Sequence, residues 1–228
     1  MKRIIYMVFM NLFHAPVWLF TIARMGRPED GRTIKECYDY IARMTRRIIK
    51  RGRVTVTATG IEHIPDQDGF MLFPNHQGLF DMLALFSTCP RPLSAVIKKE
   101  ASGWILVKQV IGATGSLAMD RSDIKDQVRI IGEVTKRVRE GSNFVIFAEG
   151  HRSRKGNEIL DFKSGTFKSA LKAGCPIVPV ALINSFRPFD INSLSREYVE
   201  VHYMEPILPE QYIGMKTSEI AHLVHDRI

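Results

Sequence analysis

Cysteine is scarce in this sequence of 228 residues, which contains only Cys37, Cys89 and Cys175. Three thiols cannot form a complete set of disulfide pairs, and their spacing matches no zinc-binding motif. These features disfavour a disulfide scaffold and a zinc ribbon, and they favour a reducing compartment. The chain also lacks internal repeats, low-complexity tracts and a second long apolar run, so we do not expect a multi-span transporter.

The formal net charge of the whole chain is +8. The excess of basic over acidic residues lies in one part of the chain. Residues 1–53 contain twelve Lys and Arg against four Asp and Glu, whereas the remaining residues contain twenty of each. A DNA-binding domain would usually spread such charge over a surface that carries a readable motif. No such motif is present, and we expect no nucleic-acid partner.

The basic segment begins with an apolar run from Ile4 to Met25. As a helix it would be long enough to cross a bilayer, at ~1.5 Å per residue. Positive charge at both ends and Pro16 near the middle argue against spanning. No small-x-small cleavage site follows, which argues against a signal peptide.

The second part of this segment, Ile34 to Arg53, is predicted to be a basic amphipathic helix. Such a helix beside an apolar one fits a protein that lies on an anionic bilayer. The alternative is that both helices pack on the protein's own core and expose a solvated basic face. The predicted apolar stripe consists of Ile34, Tyr38, Ile41, Thr45 and Ile48.

From residue 54 onward, predicted strands and helices alternate. This alternation predicts an α/β domain over residues 54–228, with a mixed, largely parallel sheet flanked by helices and with its chemistry at the ends of strands. The predicted strands are Val54–Thr59, Phe70–Phe73, Leu93–Ile97, Ser116–Met119, Phe144–Ala148, Ile177–Ile183 and Tyr198–Tyr203. The predicted helices are Met82–Ser87, Trp104–Ile111, Asp123–Glu140 (with its cap at Ser122 or Asp123), Phe167–Ala173 and Thr217–Ile228 (with its cap at Thr217 or Ser218).

The first strand end with unusual polar residues carries His76 and Asp81. A histidine can take a proton from a hydroxyl near neutral pH, and a carboxylate on its other ring nitrogen steadies the imidazolium. On one continuous helix the two side chains would point about 140° apart. They can meet only if His76 lies in a loop and Asp81 lies in the first helical turn, a bend that Gly78 permits. The alternative is an ordinary loop-and-cap arrangement.

Two further strand ends each carry an arginine, Arg121 and Arg152. Guanidinium groups bind phosphate through paired charge-assisted hydrogen bonds, and Gly150 would let the backbone approach the anion. Glu149 could orient an arginine or accept a hydrogen bond from a substrate hydroxyl. The alternative is a set of surface ion pairs.

Taken together, four spaced motifs resemble the glycerolipid acyltransferase family, most closely its bacterial 1-acylglycerol-3-phosphate acyltransferases. The resemblance covers roughly Val54 to Tyr203, and two further segments, Lys98-Lys99-Glu100 and Phe162-Lys163-x-Gly165, also look like family segments. The four motifs are, in order, Asn75-His76-x-x-x-x-Asp81, Gly115…Asp120-Arg121, Phe147-x-Glu149-Gly150-x-Arg152-Ser153 and Val178-Pro179-Val180.

The resemblance implies a reaction. His76, oriented by Asp81, would deprotonate the sn-2 hydroxyl of lysophosphatidic acid, and that oxygen would attack the thioester of acyl-CoA or acyl carrier protein, giving phosphatidic acid. No metal and no cofactor beyond this donor substrate are implied. Val178-Pro179-Val180 would be a structural strand. The implied substrate-binding residues are Asn75, Lys98, Arg121, Glu149, Gly150, Arg152 and Ser153.

The family's two-helix attachment to the membrane also matches residues 1–53. We therefore expect a monotopic or peripheral protein on the cytoplasmic face of the cell membrane. Ala118, Ala148 and His151 depart from the residues usual in the family, which leaves glycerol-3-phosphate or another lysolipid open as the acceptor. Two alternatives come from other functional classes. One is a thioesterase that activates water, and the other is a non-catalytic lipid-binding protein.

Overall fold

The computed structural model describes residues 2–228, and residue 1 of the predicted segment 1–53 lies outside the described residues. The described chain forms one sheet with helices packed around it. The strands are β1 (Val54–Thr59), β2 (Met71–Pro74), β3 (Ser94–Lys98), β4 (Leu117–Met119), β5 (Phe144–Val145), β6 (Ile177–Ile183) and β7 (Glu197–Tyr203). The helices are α1 (Lys2–Met10), α2 (Ala15–Met25), α3 (Ile34–Arg51), α4 (Asp81–Thr88), α5 (Val107–Thr114), α6 (Ile124–Arg139), α7 (Lys168–Ala173), α8 (Arg187–Asp190), α9 (Pro209–Tyr212) and α10 (Thr217–His225).

The sheet has the strand order β1-β7-β6-β2-β5-β3-β4. The five strands from β6 to β4 are mutually parallel, whereas β7 pairs antiparallel with β6 and β1 pairs parallel with β7. The predicted α/β fold with a mixed, largely parallel sheet is therefore confirmed. Because the five parallel strands share a direction, the residues that follow β2, β3, β4 and β5 lie along one edge of the sheet.

Two apolar cores cover the two faces of the sheet. One lies between the sheet and helices α3, α4 and α5, and includes Phe70, Leu72 and Val199. The other lies under α6, α7 and α10, and includes Met71 and Phe144. Met71 and Leu72 point to opposite cores because successive side chains of a strand alternate between its faces.

The apolar run at the N-terminus is two helices rather than one. No single described helix is long and apolar enough to cross a bilayer; α1 and α2 together pass that test on length and composition, but they are bent by 91°. Pro16 lies in the first turn of α2, where its missing N–H costs little. We call α1, α2 and the bend between them the hairpin. Many of its large apolar side chains are exposed: Ile5, Val8, Phe9, Leu12, Phe13, Val17 and Phe20.

One of the charges predicted to flank this run lies inside the protein. The Arg3 side chain is 1% exposed, and its guanidinium donates hydrogen bonds to the carbonyls of Gly52, Pro188 and Ser195 at 2.6–3.1 Å. A buried guanidinium is stable only when its donors are paired in this way. Arg3 therefore attaches α1 to the rest of the chain and is not available to a membrane surface.

Helix α3 begins with a reciprocal capping box in which Thr33 and Glu36 bond each other's backbone amide. The predicted stripe is buried at Tyr38, Ile41 and Thr45 but half exposed at Ile34. This stripe packs against α4, α5 and β1, as the alternative of a helix on the protein's own core requires. The apolar side of α3 is therefore buried in the protein and its basic side is exposed, and contact of this helix with an anionic bilayer stays a prediction.

Most predicted boundaries differ from the structure by one to three residues. The helix predicted at Trp104–Ile111 begins only at Val107, because Leu106 has a left-handed backbone (φ 75) and its amide is capped by Gln109. The strand predicted at Phe144–Ala148 ends at Val145, although the Ile146 amide still donates to the Leu72 carbonyl at 3.0 Å and the turn comes at Ala148 and Glu149. The last helix is preceded by Lys216 at its N-cap position, one residue before the predicted cap.

Candidate active site

The carboxyl ends of four parallel strands bring the predicted site residues to one edge of the sheet. His76 follows β2, Lys98 ends β3, Arg121 follows β4 and Glu149 follows β5. Parallel strands place the residues after their carboxyl ends side by side, whatever the separation in sequence. The residues of the separate motifs therefore meet in the fold.

The imidazole of His76 is bonded to Asp81. His76 Nδ1 lies 2.7 Å from Asp81 Oδ2, and the same oxygen accepts the amides of Gln77 and Gly78 at 2.8 and 3.0 Å. His76 lies in the loop and Asp81 is the first residue of α4, as their contact requires. A Cβ on Gly78 would lie 3.3 Å from Cα of Phe186, so the tight loop also depends on glycine there.

This contact decides which ring nitrogen can act as a base. An ionised carboxylate only accepts hydrogen bonds, so His76 Nδ1 carries the hydrogen and Nε2 of the neutral ring has a free lone pair. The ring stacks on Phe147 with centroids 4.2 Å apart, and 21% of the His76 side chain is exposed. The neutral imidazole is therefore held in one orientation with its basic nitrogen available.

Glu149 holds the backbone of the same loop. The side chain is buried, and Glu149 Oε1 accepts the His76 amide at 2.7 Å. Burial raises the pKa of Glu149, although hydrogen bonds from the amides of His76 and Leu160 oppose that effect. On the other side, the Ser153 amide donates to the His76 carbonyl at 2.9 Å. Glu149 thus positions the loop rather than facing a phosphate.

The predicted phosphate clamp is only partly assembled. Arg121 donates to the carbonyl of Gly150, which brings the end of β4 to the segment after β5. Lys98 is exposed and forms an ion pair with Glu100 at 2.9 Å. Both cations lie at the carboxyl ends of the strands, where His76 also lies. The Arg121 guanidinium is already bonded there to the Gly150 carbonyl.

A cavity of about 420 Å³ borders the His76 loop and is lined by Arg152 and Arg154, together with Phe186 and Asp190. The amide of Ser153, between the two arginines, donates to the His76 carbonyl at 2.9 Å, which places the cavity next to the backbone of the His76 loop. Arg154 has a left-handed backbone (φ 56), a conformation that costs a non-glycine residue free energy. Sequence analysis missed Arg154, although it lies two residues beyond Arg152.

Two other predicted binding residues are occupied by bonds within the protein. The amide of Asn75 accepts from the Leu182 nitrogen at 2.7 Å and donates to the Leu182 carbonyl at 3.0 Å. The Ser153 hydroxyl donates to the Glu158 carbonyl at 2.6 Å. These contacts give Asn75 and Ser153 positioning roles in this structure.

Gln77 is a further positioning residue that sequence analysis missed. Its buried side chain accepts the Ser185 amide at 2.7 Å and donates to the Leu182 carbonyl and to Asn157 at 2.8 and 2.9 Å. These bonds connect the His76 loop to the end of β6. A glutamine beside a histidine has no distinctive signal in a single sequence.

The other reactive groups do not form a second site within the part of the chain that is described. All three cysteines are buried as free thiols, and burial raises the pKa of Cys89 and of Cys175 to about 12. Such thiols are inert at neutral pH. Among residues 2–228, no cluster of three or more His, Cys, Asp or Glu side chains could hold a metal ion.

Comparison with known proteins shows that this chain belongs to the acyltransferase family. The family model described as Acyltransferase matches residues 55–183. The 1-acyl-sn-glycerol-3-phosphate acyltransferase of Escherichia coli (strain K12) is 32% identical over 149 residues, which cover 64% of this chain and 60% of that protein. The protein of the same name from Borreliella burgdorferi is 30% identical over 159 residues, covering 68% and 63%. The matched region thus spans less than two thirds of either relative.

One solved structure shares the fold over almost the whole chain. The crystal structure of the 1-acyl-sn-glycerophosphate (LPA) acyltransferase PlsC from Thermotoga maritima superposes with a TM-score of 0.77 at 21% identity, covering 99% of this chain and 94% of that one. The likeness includes the N-terminal helices as well as the sheet.

Proposed function

Because this chain belongs to the acyltransferase family, we propose that it transfers a fatty acyl group from acyl-CoA or acyl carrier protein to the sn-2 hydroxyl of lysophosphatidic acid. The product would be phosphatidic acid, a step of phospholipid synthesis. The observation that carries the proposal is the 2.7 Å contact between His76 Nδ1 and Asp81 Oδ2, which leaves Nε2 as a base. The names of the curated relatives support the choice of acceptor.

The proposed reaction needs one base and no acyl-enzyme. His76 Nε2 takes the proton of the acceptor hydroxyl as its oxygen attacks the thioester carbonyl carbon. A C–O ester bond forms, the C–S bond breaks, and the imidazolium returns the proton to the leaving thiolate. Asp81 stabilises the imidazolium between these steps. The products are an ester and a free thiol.

The acceptor phosphate would bind at the arginines beside the His76 loop. Arg152 and Arg154 line the neighbouring cavity, and Arg121 lies at the same edge of the sheet. Guanidinium groups pair with phosphate oxygens through two parallel hydrogen bonds. Glycerol-3-phosphate and other phosphate-bearing lysolipids share this group and are alternative acceptors.

The exposed apolar side chains of the α1–α2 hairpin support attachment to a bilayer. Phe13 is 92% exposed, and Phe9 and Phe20 are also exposed. A surface patch of this size usually marks a partner or a membrane, and the acceptor of the proposed reaction is a lipid. The protein would then lie on the cytoplasmic face of the cell membrane, monotopic or peripheral, with the basic side of α3 near anionic headgroups.

The test is thiol release from an acyl thioester by the purified full-length chain, with and without lysophosphatidic acid. Release that requires the acceptor supports transfer. Release without it would instead indicate a thioesterase, and no release would indicate a lipid-binding protein. We expect His76→Ala to lower transfer by a factor of 10² or more, while the control His222→Ala, at an exposed position on α10, retains activity. Equal activity of both variants would overturn the assignment of the base.

A further inference from the structure

A second cavity lies away from the His76 loop, between α3, the end of α4 and the edge strand β1. Its volume is about 730 Å³, and four cationic residues line it: Arg46, Lys50, Arg53 and Arg196. Its lining residues Ser87 and Thr88 lie six and seven residues after Asp81 along α4, which at ~1.5 Å per residue is about 9–10 Å. The cavity is therefore distinct from the proposed acyl-transfer site.

The positive charge of this cavity is not neutralised by the protein. Among the described residues that line it, none is acidic. Arg46 donates to the Ser87 carbonyl at 3.3 Å, and the Arg53 guanidinium lies over the Tyr6 ring, 5.8 Å from its centroid. Neither contact supplies negative charge. The nearby acid Glu197 is buried and already paired with Arg187 at 2.7 Å and with Arg3 at 3.8 Å.

A buried residue holds two of the cations in place. Arg3 donates to the carbonyls of Gly52 and Arg53 at 2.7 and 3.4 Å, and to the Ser195 carbonyl at 2.6 Å. These carbonyls belong to the two segments that carry Arg53 and Arg196. Arg53 also has a left-handed backbone (φ 58), which costs free energy in a non-glycine residue. The backbone segments that carry these two cations are thus fixed before any ligand binds, which lowers the cost of ordering them around an anion.

The rest of the lining combines apolar side chains with the hydroxyl groups of Thr55, Ser87 and Thr88. Ile49 and Val54 form a buried floor beneath the cationic rim. Tyr6, against which Arg53 stacks, belongs to α1, and α1 carries the exposed Ile5 and Phe9. An apolar floor under a cationic rim, beside an apolar helix, matches an amphiphile with a phosphate head better than it matches a free inorganic ion.

We infer that this cavity binds the phosphate of a bilayer phospholipid headgroup, as a site separate from the acceptor pocket. The inference rests on the proposed attachment to a bilayer. Basic residues 1–53 alone would give only diffuse electrostatic attraction to an anionic bilayer. The inferred cavity adds a discrete site, which includes Arg196 from far outside that segment.

The experiment compares two charge-matched double variants of the full-length chain. Lys50→Gln with Arg196→Gln removes two exposed cations of the cavity, and Arg43→Gln with Arg47→Gln removes two exposed cations of α3 that do not line it. Binding to phosphatidylcholine vesicles with and without phosphatidylglycerol is measured by co-sedimentation. Calorimetry with inorganic phosphate tests for a free-anion site.

A surface cation contributes about 1 kcal/mol to binding an anionic bilayer, or roughly fivefold in affinity. We expect the control variant, which loses diffuse attraction only, to lose at most about 25-fold in affinity for anionic vesicles, and the cavity variant to lose at least fivefold more than the control. Equal losses would overturn the inference and leave bilayer attachment standing. Saturable phosphate binding that is lost in the cavity variant, combined with equal vesicle losses, would instead assign a free-phosphate site. A wild-type chain that binds no vesicles would overturn both the inference and the proposed attachment.

Discussion

The carboxylate of Glu149 accepts a hydrogen bond from the backbone amide of His76 at 2.7 Å, which joins the end of β5 to the end of β2. The Ser153 amide bonds the His76 carbonyl at 2.9 Å, and Asp81 holds the imidazole. Both backbone groups and the side chain of one residue are therefore fixed by separate partners. Preorganisation of this kind lets a base act without rearrangement of its surroundings.

Asp81→Asn tests the electrostatic part of this arrangement. The asparagine oxygen can still accept the amides of Gln77 and Gly78, but the neutral side chain cannot stabilise an imidazolium. We expect the turnover number for acyl transfer to fall by a factor of about 10² or more. The exposed Asp226→Asn is the matched control. A turnover number within a few fold of the wild type would remove Asp81 from the mechanism.

Glu149→Gln is expected to change how stability depends on pH. Burial raises the pKa of Glu149 above the ordinary value of 4.5, so the folded protein binds this proton more tightly than the unfolded chain does. The contribution is present below the ordinary pKa and is lost as pH rises through the raised value. Glutamine does not titrate. The free energy of unfolding of the variant should therefore rise relative to that of the wild type as the pH increases from the ordinary pKa of Glu149 to the raised one. Denaturant titrations at several pH values measure it, and parallel profiles would contradict the prediction.

Arg121→Ala should act on acceptor binding. If Arg121 pairs with the acceptor phosphate equally in the ground and transition states, its loss raises the acceptor KM and leaves the turnover number nearly unchanged. A charge-assisted hydrogen bond contributes about 1.5–3 kcal/mol, which corresponds to roughly tenfold to hundredfold in KM. Steady-state kinetics with varied acceptor measure this effect. Arg129→Ala, an exposed position on α6, is the control, and unchanged constants for Arg121→Ala would exclude it from the site.

Phe13→Ser tests the proposed attachment of the hairpin to a bilayer. Full burial of such a side chain contributes about 1.5–3 kcal/mol, so its loss should weaken vesicle binding by roughly tenfold to hundredfold. Ile213→Ser is the control. Ile213 is exposed like Phe13, at 80%, but it follows α9 and lies far from the hairpin in the chain. Equal binding of both variants in co-sedimentation would show that the hairpin does not enter the bilayer.

Most of the sheet could be predicted because its strands are continuous runs of β-branched and apolar residues between turn signals. The bounds of Val54–Thr59 and Ile177–Ile183 agree with the structure, and Asp123 caps α6 as predicted. Boundaries were wrong where one local bond decides them. The side chain of Gln109 caps the Leu106 amide, so α5 begins at Val107. This bond replaces the helical conformation predicted from Trp104 onward.

Loop and helix geometry allowed the contact between His76 and Asp81, and the resemblance to the acyltransferase family favoured it over an ordinary loop-and-cap arrangement. The partners of Gln77 and Arg3 could not be predicted, because they lie far away in sequence and come together only in the fold. Gln77 bonds groups 80 to 108 residues further along the chain. Arg3 was counted among the charges that flank an apolar helix, and periodicity contains no sign of its burial.

The bonds of Arg3 also constrain the order of events during synthesis. Its guanidinium needs the carbonyls of Pro188 and Ser195, which lie 185 and 192 residues further along the chain. Helix α1 therefore cannot complete its packing until the segment that contains these two carbonyls has been made. Closure over such a separation is entropically costly and slow. Until then, the bonds that attach α1 to α8 and to the segment before β7 are missing.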